Sequence, residues 1–451
     1  MMITFLWTDQ CFLGVLVIGL LLTLYSLRRE HNRRAFKQLF RKPLSVSAGI
    51  VLGFFLVIGI LDSIHLKDKP DNVSNDNAKA STLLERLLAP LGQTYEKTYS
   101  APLALNLFST ETVLVDGKAR QIYPRLQYPA ATIHNQQEKE QFLTNVLLKA
   151  AGTAMLITAL VWGVFIGIQF KSSARPWLPR GRHVLPLVVF FLCLFVALAS
   201  YWISRHLHLF GTGKIGQDIF YYTIKSIRTG LVIGLLTTLF MLPLALLLGI
   251  AAGYFGGVID DVIQYIYTTL SSIPGVLLIT ASVLSMQTYI ANHPEQFATL
   301  HESADARLFA LCLILGVTSW TSLCRLLRAE ALKLREIDYV MAARALGSSS
   351  FRILRKHLLP NVMHIVVITL VLDFSFLVLA EAVLSYVGVG VSPMTISWGN
   401  MINGARLELA REPVVWWPML AAFVFMFTLV LASNLFADAV RDAFDPHQAH
   451  A

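Results

Sequence analysis

Charge is what this 451-residue sequence has least of. Asp, Glu, Lys and Arg make up 14% of it, where a soluble domain carries about a quarter. That excludes an ordinary soluble globule of this length. Cysteine is scarce as well: Cys11, Cys193, Cys312 and Cys324 fall in or beside apolar runs and share no metal-ligand spacing. They read as small buried hydrophobes, not as a disulfide or zinc framework. No GxxxxGK[ST] phosphate loop occurs, so phosphate chemistry on a nucleotide is not expected of this chain. No HExxH or Ser/His/Asp pattern appears in the apolar runs, which argues against a membrane-embedded hydrolase. A basic region is missing ahead of the apolar stretch Phe5 to Leu27, and a basic stop follows it, so this reads as a retained anchor and not a cleaved signal.

What the sequence has is apolar length. Hydrophobic residues are 55% of it and mean hydropathy is +0.60. A helical membrane span takes about 20 mostly apolar residues, and nine stretches qualify: Cys11–Leu27, Val46–Ile64, Phe142–Gln169, Val184–Ser204, Thr229–Tyr254, Tyr267–Tyr289, Arg307–Leu327, Val362–Val387 and Val415–Phe436. The expected fold is an all-α polytopic membrane protein of about nine transmembrane helices. Net charge is +9, but the basic residues cluster beside the apolar runs, as the positive-inside rule expects, so membrane lipid and not nucleic acid is the implied surface. The strongest orientation signal is Arg28 to Lys42, RREHNRRAFKQLFRK, with seven basic residues against one acidic. It places that loop in the cytoplasm, the N-terminus outside and, across an odd number of spans, the C-terminus inside. Lys171–Arg182, with four basic residues and no acidic one, also comes out cytoplasmic. Arg205–Arg228 is net basic yet comes out external; its Lys225 and Arg228 stand at a helix start, where long side chains snorkel or line a pocket.

Lys67–Glu140 is then an external segment, balanced at nine acidic and nine basic residues. Its start, DKPDNVSNDNAKAS, has the composition of disorder. TLLERLLAPL reads as a short amphipathic helix, and TETVLVDGKARQIYP as a hairpin around Asp116-Gly117. A small periplasmic subdomain and an irregular loop are both open for this segment.

The polar interruption from Arg325 to Pro360 is more patterned than a connector. From Arg325 to Lys356 it holds eight Lys/Arg against three Asp/Glu. Asp338 to Leu346 reads as a short helix in which Ala342 and Ala343 permit close approach of another surface. Gly347 supplies a left-handed helix end, and Ser348, Ser349 and Ser350 offer N-caps for a second helix, Phe351 to His357. Pro360 closes the polar part before the next span. The product is a helix–turn–helix with a basic rim.

MAARALGSSSFRILRKHLLP within that loop is similar to the EAA signature of ABC-importer permeases, at Ala342, Ala343, Gly347, Leu359 and Pro360. Met341 stands in place of the usual acidic residue and His357 in place of an apolar one. FGTGKIGQDIF resembles the LGTDxxGRD signature of the dipeptide/oligopeptide/nickel permease family, C-type subunit, at Gly211, Thr212, Gly216 and Asp218. Gly213 and Gln217 stand there where Asp and Arg are expected. LLLGIAAGYFGGVIDDVIQYIYTTLSSIPGVLLI matches at Gly249, Gly253, Tyr254, Gly256, Gly257, Asp260, Ile273 and Pro274. AEAVLSYVGVGVSPMTISWGNMI matches at Glu381, Leu384, Ser385, Gly388, Gly390, Ser397, Trp398 and Gly399. NLFADAVRDAFDP resembles the family's ending. The resemblance runs from about Val184 to Pro446, six of the nine spans, and the first 180 residues lie outside it.

The apolar runs and charge pattern give two spans with a basic cytoplasmic loop (1–64), a periplasmic segment (65–141) and a third span with a cytoplasmic linker (142–182), and the resemblance implies a permease core (183–446) with its coupling loop at 335–361 and a tail (447–451). It implies a permease subunit of an ATP-driven importer in the bacterial inner membrane, not itself an enzyme. Its partners would be a B-type permease, two ABC ATPase domains that use the ATP, and a periplasmic solute-binding protein. No cofactor is expected on this chain. Short peptides lead as solute; nickel or glycoside import, antimicrobial-peptide handling and a non-transport scaffold or sensor are the alternatives. The ATPase-coupling residues would be Tyr339, Ala342, Ala343, Leu346, Gly347, Phe351, His357 and Pro360. Asp373 and Glu381, eight residues apart inside a span, either line the solute path or make packed polar contacts, since carboxylates are costly against lipid. Gly253, Gly256 and Gly257 permit a tight turn, Pro274 a kink, and His206-x-His208 reads as an interfacial pair and not a metal site.

Overall fold

The computed structural model describes every residue except 1, 5, 29, 68–80, 116–117, 129–132, 172–183, 294, 296–298 and 445–451. The disorder-like stretch after Lys67, the Asp116-Gly117 turn, most of the Lys171–Arg182 linker and the end of the tail therefore lie outside the described residues. Among those described, nine helices are long and apolar enough to cross a membrane; eight of the nine expected spans each fall on one of them, and Tyr267–Tyr289 straddles two helices.

The chain opens with β1 (Met2–Thr4), α1 (Trp7–Ser26), the basic α2 (Glu30–Arg41) and α3 (Pro43–Ser63). β2 (His65–Lys67) then pairs antiparallel with β1 on one side and with β3 (Ser81–Thr82) on the other. After α4 (Leu83–Leu87) and α5 (Ala89–Gln93), β4 (Glu111–Val115) and β5 (Lys118–Ile122) form the expected hairpin. α6 (Gln136–Lys171) completes the part that precedes the family-like core. The core follows as α7 (Val184–Ser204), α8 (Ile219–Phe255), α9 (Gly257–Ser272), α10 (Gly275–Asn292), α11 (Leu300–Arg335), α12 (Asp338–Ala345), α13 (Ser350–Ile353), α14 (Leu359–Val387), α15 (Trp398–Ala405) and α16 (Trp417–Phe444).

Local chemistry explains several boundaries. Thr82 caps α4 in a capping box: its hydroxyl accepts from Glu85 N while Glu85 accepts from Thr82 N. Gly256 and Gly257, at φ +67° and +55°, make the corner between α8 and α9. Gly253 has a different task, because it lies inside α8, where a Cβ would stand 2.6 Å from Arg328 O and from Ala331 Cβ. The expected span Tyr267–Tyr289 is corrected: Pro274 does not kink one helix but separates α9, which ends at Ser272, from α10, which starts at Gly275. Proline has no N–H to continue the ladder, and Ile273 before it is extended, as the residue before a proline tends to be.

The described residues fall into two compact units. One gathers Met1–Phe5, Phe40–Thr229 and Ile396–Ala432; the other gathers Leu6–Leu39, Gly230–Thr395 and Ser433–Ala451. In the first unit, Tyr99, Ile219, Val415, Trp417 and Ala421 form one buried cluster and Ile133, Val146, Ile203 and Leu207 another. In the second, the main core runs from Met241 through Trp320, Leu323 and Leu327 to Val362 and Val366. A smaller cluster there packs Phe36 and Leu39 of α2 against Ala439, Val440 and Ala443 of α16.

Candidate functional site

The patterned loop forms the helix–turn–helix that its sequence implies. α12 runs from Asp338 to Ala345 and is closed by Gly347 at φ +75°. Ser349 takes the extended N-cap conformation ahead of α13, without a side-chain cap bond. Apolar side chains point outward: Leu346 is 85% exposed and Phe351 72%, and Tyr339 and Met341 are exposed beside them. Ala342 is exposed and Ala343 half-buried, so small residues and two large apolar ones share one open surface. Val340, Ile353 and Leu358 point the other way, into the core.

Pro360 stands in the first turn of α14, where the span begins as its sequence implies, and the helical path runs from Ser350 to Val387. Leu354–Leu358 forms a π turn just ahead of Pro360. A proline removes one i→i−4 bond and crowds the preceding turn, and the wider π turn is a local way to absorb that defect. His357 and Pro360 thus sit at a widened joint. Asn361 Nδ2 ties it down by donating to His357 O at 2.7 Å and to Tyr339 Oη at 2.8 Å, with the Tyr339 and His357 rings 5.8 Å apart.

The structure separates the two carboxylates of α14. Glu381 is 3% exposed and accepts from Ser385 Oγ at 2.7 Å, and Gly390 packs directly on Ser385. It is a packed polar contact. Asp373 is half-buried, and no described residue bonds or pairs with it.

Sequence reasoning missed a second constellation, in the loop Gly211–Asp218. His208, fully buried, holds Nδ1 2.6 Å from Asp218 Oδ2 and faces Glu96 Oε1 with Nε2 at 3.6 Å. Tyr128 stacks on the imidazole at 4.6 Å and donates its hydroxyl to Ser204 O. Glu96 also accepts from the backbone N–H groups of Gln127 and Tyr128, both at 2.8 Å. Burial alone lowers the imidazole pKa, but the bond to Asp218 and the facing Glu96 outweigh it and raise it to about 9. Burial likewise pushes Glu96 up, and His208 with the two backbone donors holds it below the ordinary glutamate value. His206, the other member of the pair, meets Phe142 edge-on. Around this centre, Thr212 N and Oγ1 donate to Ser100 O and Thr98 O, and Trp417 Nε1 donates to Thr212 O. Gly216, at φ +74°, has no space for a side chain: a Cβ would stand 1.7 Å from Glu96 O. The signal was present in His208, Gly216 and Asp218, but their partner Glu96 lies over a hundred residues upstream in a segment without a motif.

Lys225 finds its counter-charge in the same upstream segment. It pairs with Glu85 at 2.5 Å, while Thr82 Oγ1 donates to Asp62 Oδ1 at 2.8 Å beside it. Burial pushes the Glu85 carboxyl up and Lys225 more than reverses that. One of the basic residues of the loop that disagreed with its neighbours, Lys225, is therefore answered by an acid from the upstream segment.

Against known proteins, a family model described as binding-protein-dependent transport system inner membrane component matches residues 245–450. A dipeptide transport system permease protein of Lactococcus lactis subsp. cremoris is 31% identical over 239 residues, 53% of this chain and 64% of that relative; the chain thus spans just under two thirds of its length. A glutathione transport system permease protein of Pectobacterium atrosepticum is 28% identical over 305 residues, 62% of this chain and 94% of the relative. A putative peptide transport system permease protein of Brucella abortus biovar 1 is 32% identical over 241 residues, 53% of this chain and 73% of the relative.

Proposed function

The chain belongs to the family of binding-protein-dependent transport inner membrane components, and from that membership we propose that it is the permease subunit of an ATP-driven importer that carries short peptides. The observation that carries the coupling role is the exposed apolar surface on the α12–Gly347–α13 turn, with Leu346 and Phe351 at its tip. Water is a poor medium for such a tip, and a groove on a cytoplasmic ATPase is the partner that suits it. Tyr339, Ala342, Ala343 and Met341 complete the contact; Gly347 sets the angle between the helices, and the His357–Pro360 joint leads into the span. Closure of two ATPases on ATP displaces this turn as a rigid body, and the spans follow.

The solute class rests on the relatives, whose names include dipeptide, peptide and glutathione transport. Asp373 is the pathway candidate of the two carboxylates, because an unpaired carboxylate in a span calls for water, a second subunit or a cationic solute group beside it. A B-type permease would supply the other half of the pore and a periplasmic binding protein the solute. For orientation, β1 pairs with β2 across two intervening spans, which suits an N-terminus on the same side as residues 65–133. That side is periplasmic if the basic α2 is cytoplasmic.

Co-expression with the ATPases and second permease tests this. The wild-type complex should co-purify with the ATPases and accumulate labelled tri-alanine in an ATP-dependent way. Leu346→Asp with Phe351→Asp should weaken ATPase binding by about 30-fold or more, the scale of losing a buried apolar anchor, while the chain stays in the membrane at normal level. Undiminished ATPase binding in that variant would remove the docking assignment; absence of tri-alanine uptake by an ATP-hydrolysing wild type would remove the peptide.

A further inference from the structure

Within the second unit, the α8–α9 corner is fastened to α11 at a series of matched points. Gly249 and Gly253 bring the backbone of α8 onto α11 with no room for a methyl: a Cβ would stand 2.8 Å from Cys324 O in the first case and 2.6 Å from Arg328 O in the second. Three arginines of α11 then meet α9 and its corner in antiparallel order. Arg325 stands over the Tyr267 ring at 5.6 Å. Arg328 holds Asp260 with two bonds, Nε to Oδ1 at 2.5 Å and Nη2 to Oδ2 at 2.7 Å. Arg335 Nη1 lies 3.1 Å from the Cβ position of Gly256. Gln264 adds a bond to Asp260 at 3.1 Å. The fork geometry of guanidinium on carboxylate fixes orientation as well as distance, and the Arg328 bond is the largest cause holding the Asp260 carboxyl below its usual range.

α11 is unbroken to Arg335, and α12 begins three residues later at Asp338. At its other end α9 stops at Ser272, and α10 starts after Pro274. We propose that the Asp260–Arg328 pair is a positioning clamp for transmission: it makes α9 and the end of α11 one rigid body, so that displacement of α12 reaches α10 across the break at Pro274. This rests on the assignment of the α12–α13 turn as the motor contact. Neither residue touches nucleotide or solute; both act through the elements they join.

The test uses the full chain assembled with its ATPases and second permease in proteoliposomes, with Asp260→Asn, Arg328→Lys and the exchange Asp260→Arg/Arg328→Asp. Spin labels at Val258→Cys and Leu326→Cys, both exposed, report on α9 against α11 in a cysteine-free background. In the wild type the label distance is single and unchanged by ATP with vanadate. In Asp260→Asn it broadens on ATP, and tri-alanine uptake per ATP falls on the order of tenfold, the scale of a coupling free energy between sites. ATPase co-purification and ATP turnover are retained. The exchange restores a single distance and part of the uptake. An unchanged distance in Asp260→Asn overturns the clamp, as does a loss of uptake that only tracks loss of protein and is not restored by the exchange. Failure of the wild type to bind ATPases sinks the motor-contact assignment and the clamp with it. Wild-type ATP turnover without tri-alanine uptake sinks the peptide alone, and the label distance still decides the clamp.

Discussion

His208 carries its charge in a place where charge is expensive. A fully buried imidazolium persists only because two carboxylates face it, one from its own loop and one from residue 96. Its folded pKa of about 9 lies above the ordinary 6.5, so the folded state binds the proton more tightly than the unfolded state. The resulting stabilisation is complete below about pH 6.5 and is lost as pH rises through about 9. The detergent-solubilised protein should therefore show a falling thermal unfolding midpoint from neutral to alkaline pH. His208→Gln should start lower and flatten that slope. A wild-type midpoint that holds level or rises through pH 9 would show that His208 is neutral in the fold.

At the scale of elements, α14 shows how far one helix can divide its labour. The joint at Leu354–Leu358 leads into it from the α12–α13 turn, Glu381 and Ser385 hold its far end, and Asp373 stands between them without a described partner. Asp373→Asn should leave ATPase co-purification intact and lower uptake several-fold. Removing the charge also removes its desolvation cost, so thermal stability should hold or rise slightly. A fall in stability together with loss of the second permease would instead place Asp373 at the subunit interface.

Much of this was legible in residues. Eight of the nine spans could be read as single helices because about 20 apolar residues in a row admit few alternatives. Gly347 gave its turn away because φ +75° is what a glycine at a helix end is for. The π turn at Leu354–Leu358 was not legible: Pro360 opens the span as its sequence implies, but packing of Leu358 and Val362 into the core shapes the joint ahead of it. Pro274 ended α9 where a kink was expected. The His208 and Lys225 centres were illegible for a different reason. Their acids, Glu96 and Glu85, lie in a segment whose composition is balanced and whose spacing carries no period.

On the scale of the whole chain, the first 180 residues are not an appendage. In the first unit they supply Glu85 to Lys225, Glu96 to His208 and Phe55 to an edge-on contact with Trp398. In the second, Thr8 of α1 bonds Asp305 of α11, and α2 packs on α16. A chain beginning at residue 184 would bury Lys225 without Glu85 and leave His208 with Asp218 alone, and should be degraded, whereas separate co-expression of residues 1–183 should restore membrane abundance at least in part. Normal abundance and uptake of the shortened chain alone would show the preceding region to be dispensable.

The clasp of Glu96 on His208 also sets an order in time. Glu96 leaves the ribosome 112 residues before its partner (208 − 96), with α6 and α7 still to be made. At 5–20 residues per second the wait is roughly 6–22 s. Through that interval residues 94–128 have neither His208 nor the Gly211–Asp218 loop to fold against. The β4–β5 strand pair, the Lys97–Glu111 ion pair and the backbone bonds of Leu107, Phe108 and Leu126 to Pro124, Tyr99 and Leu105 are internal to this segment, and it can form them while it waits.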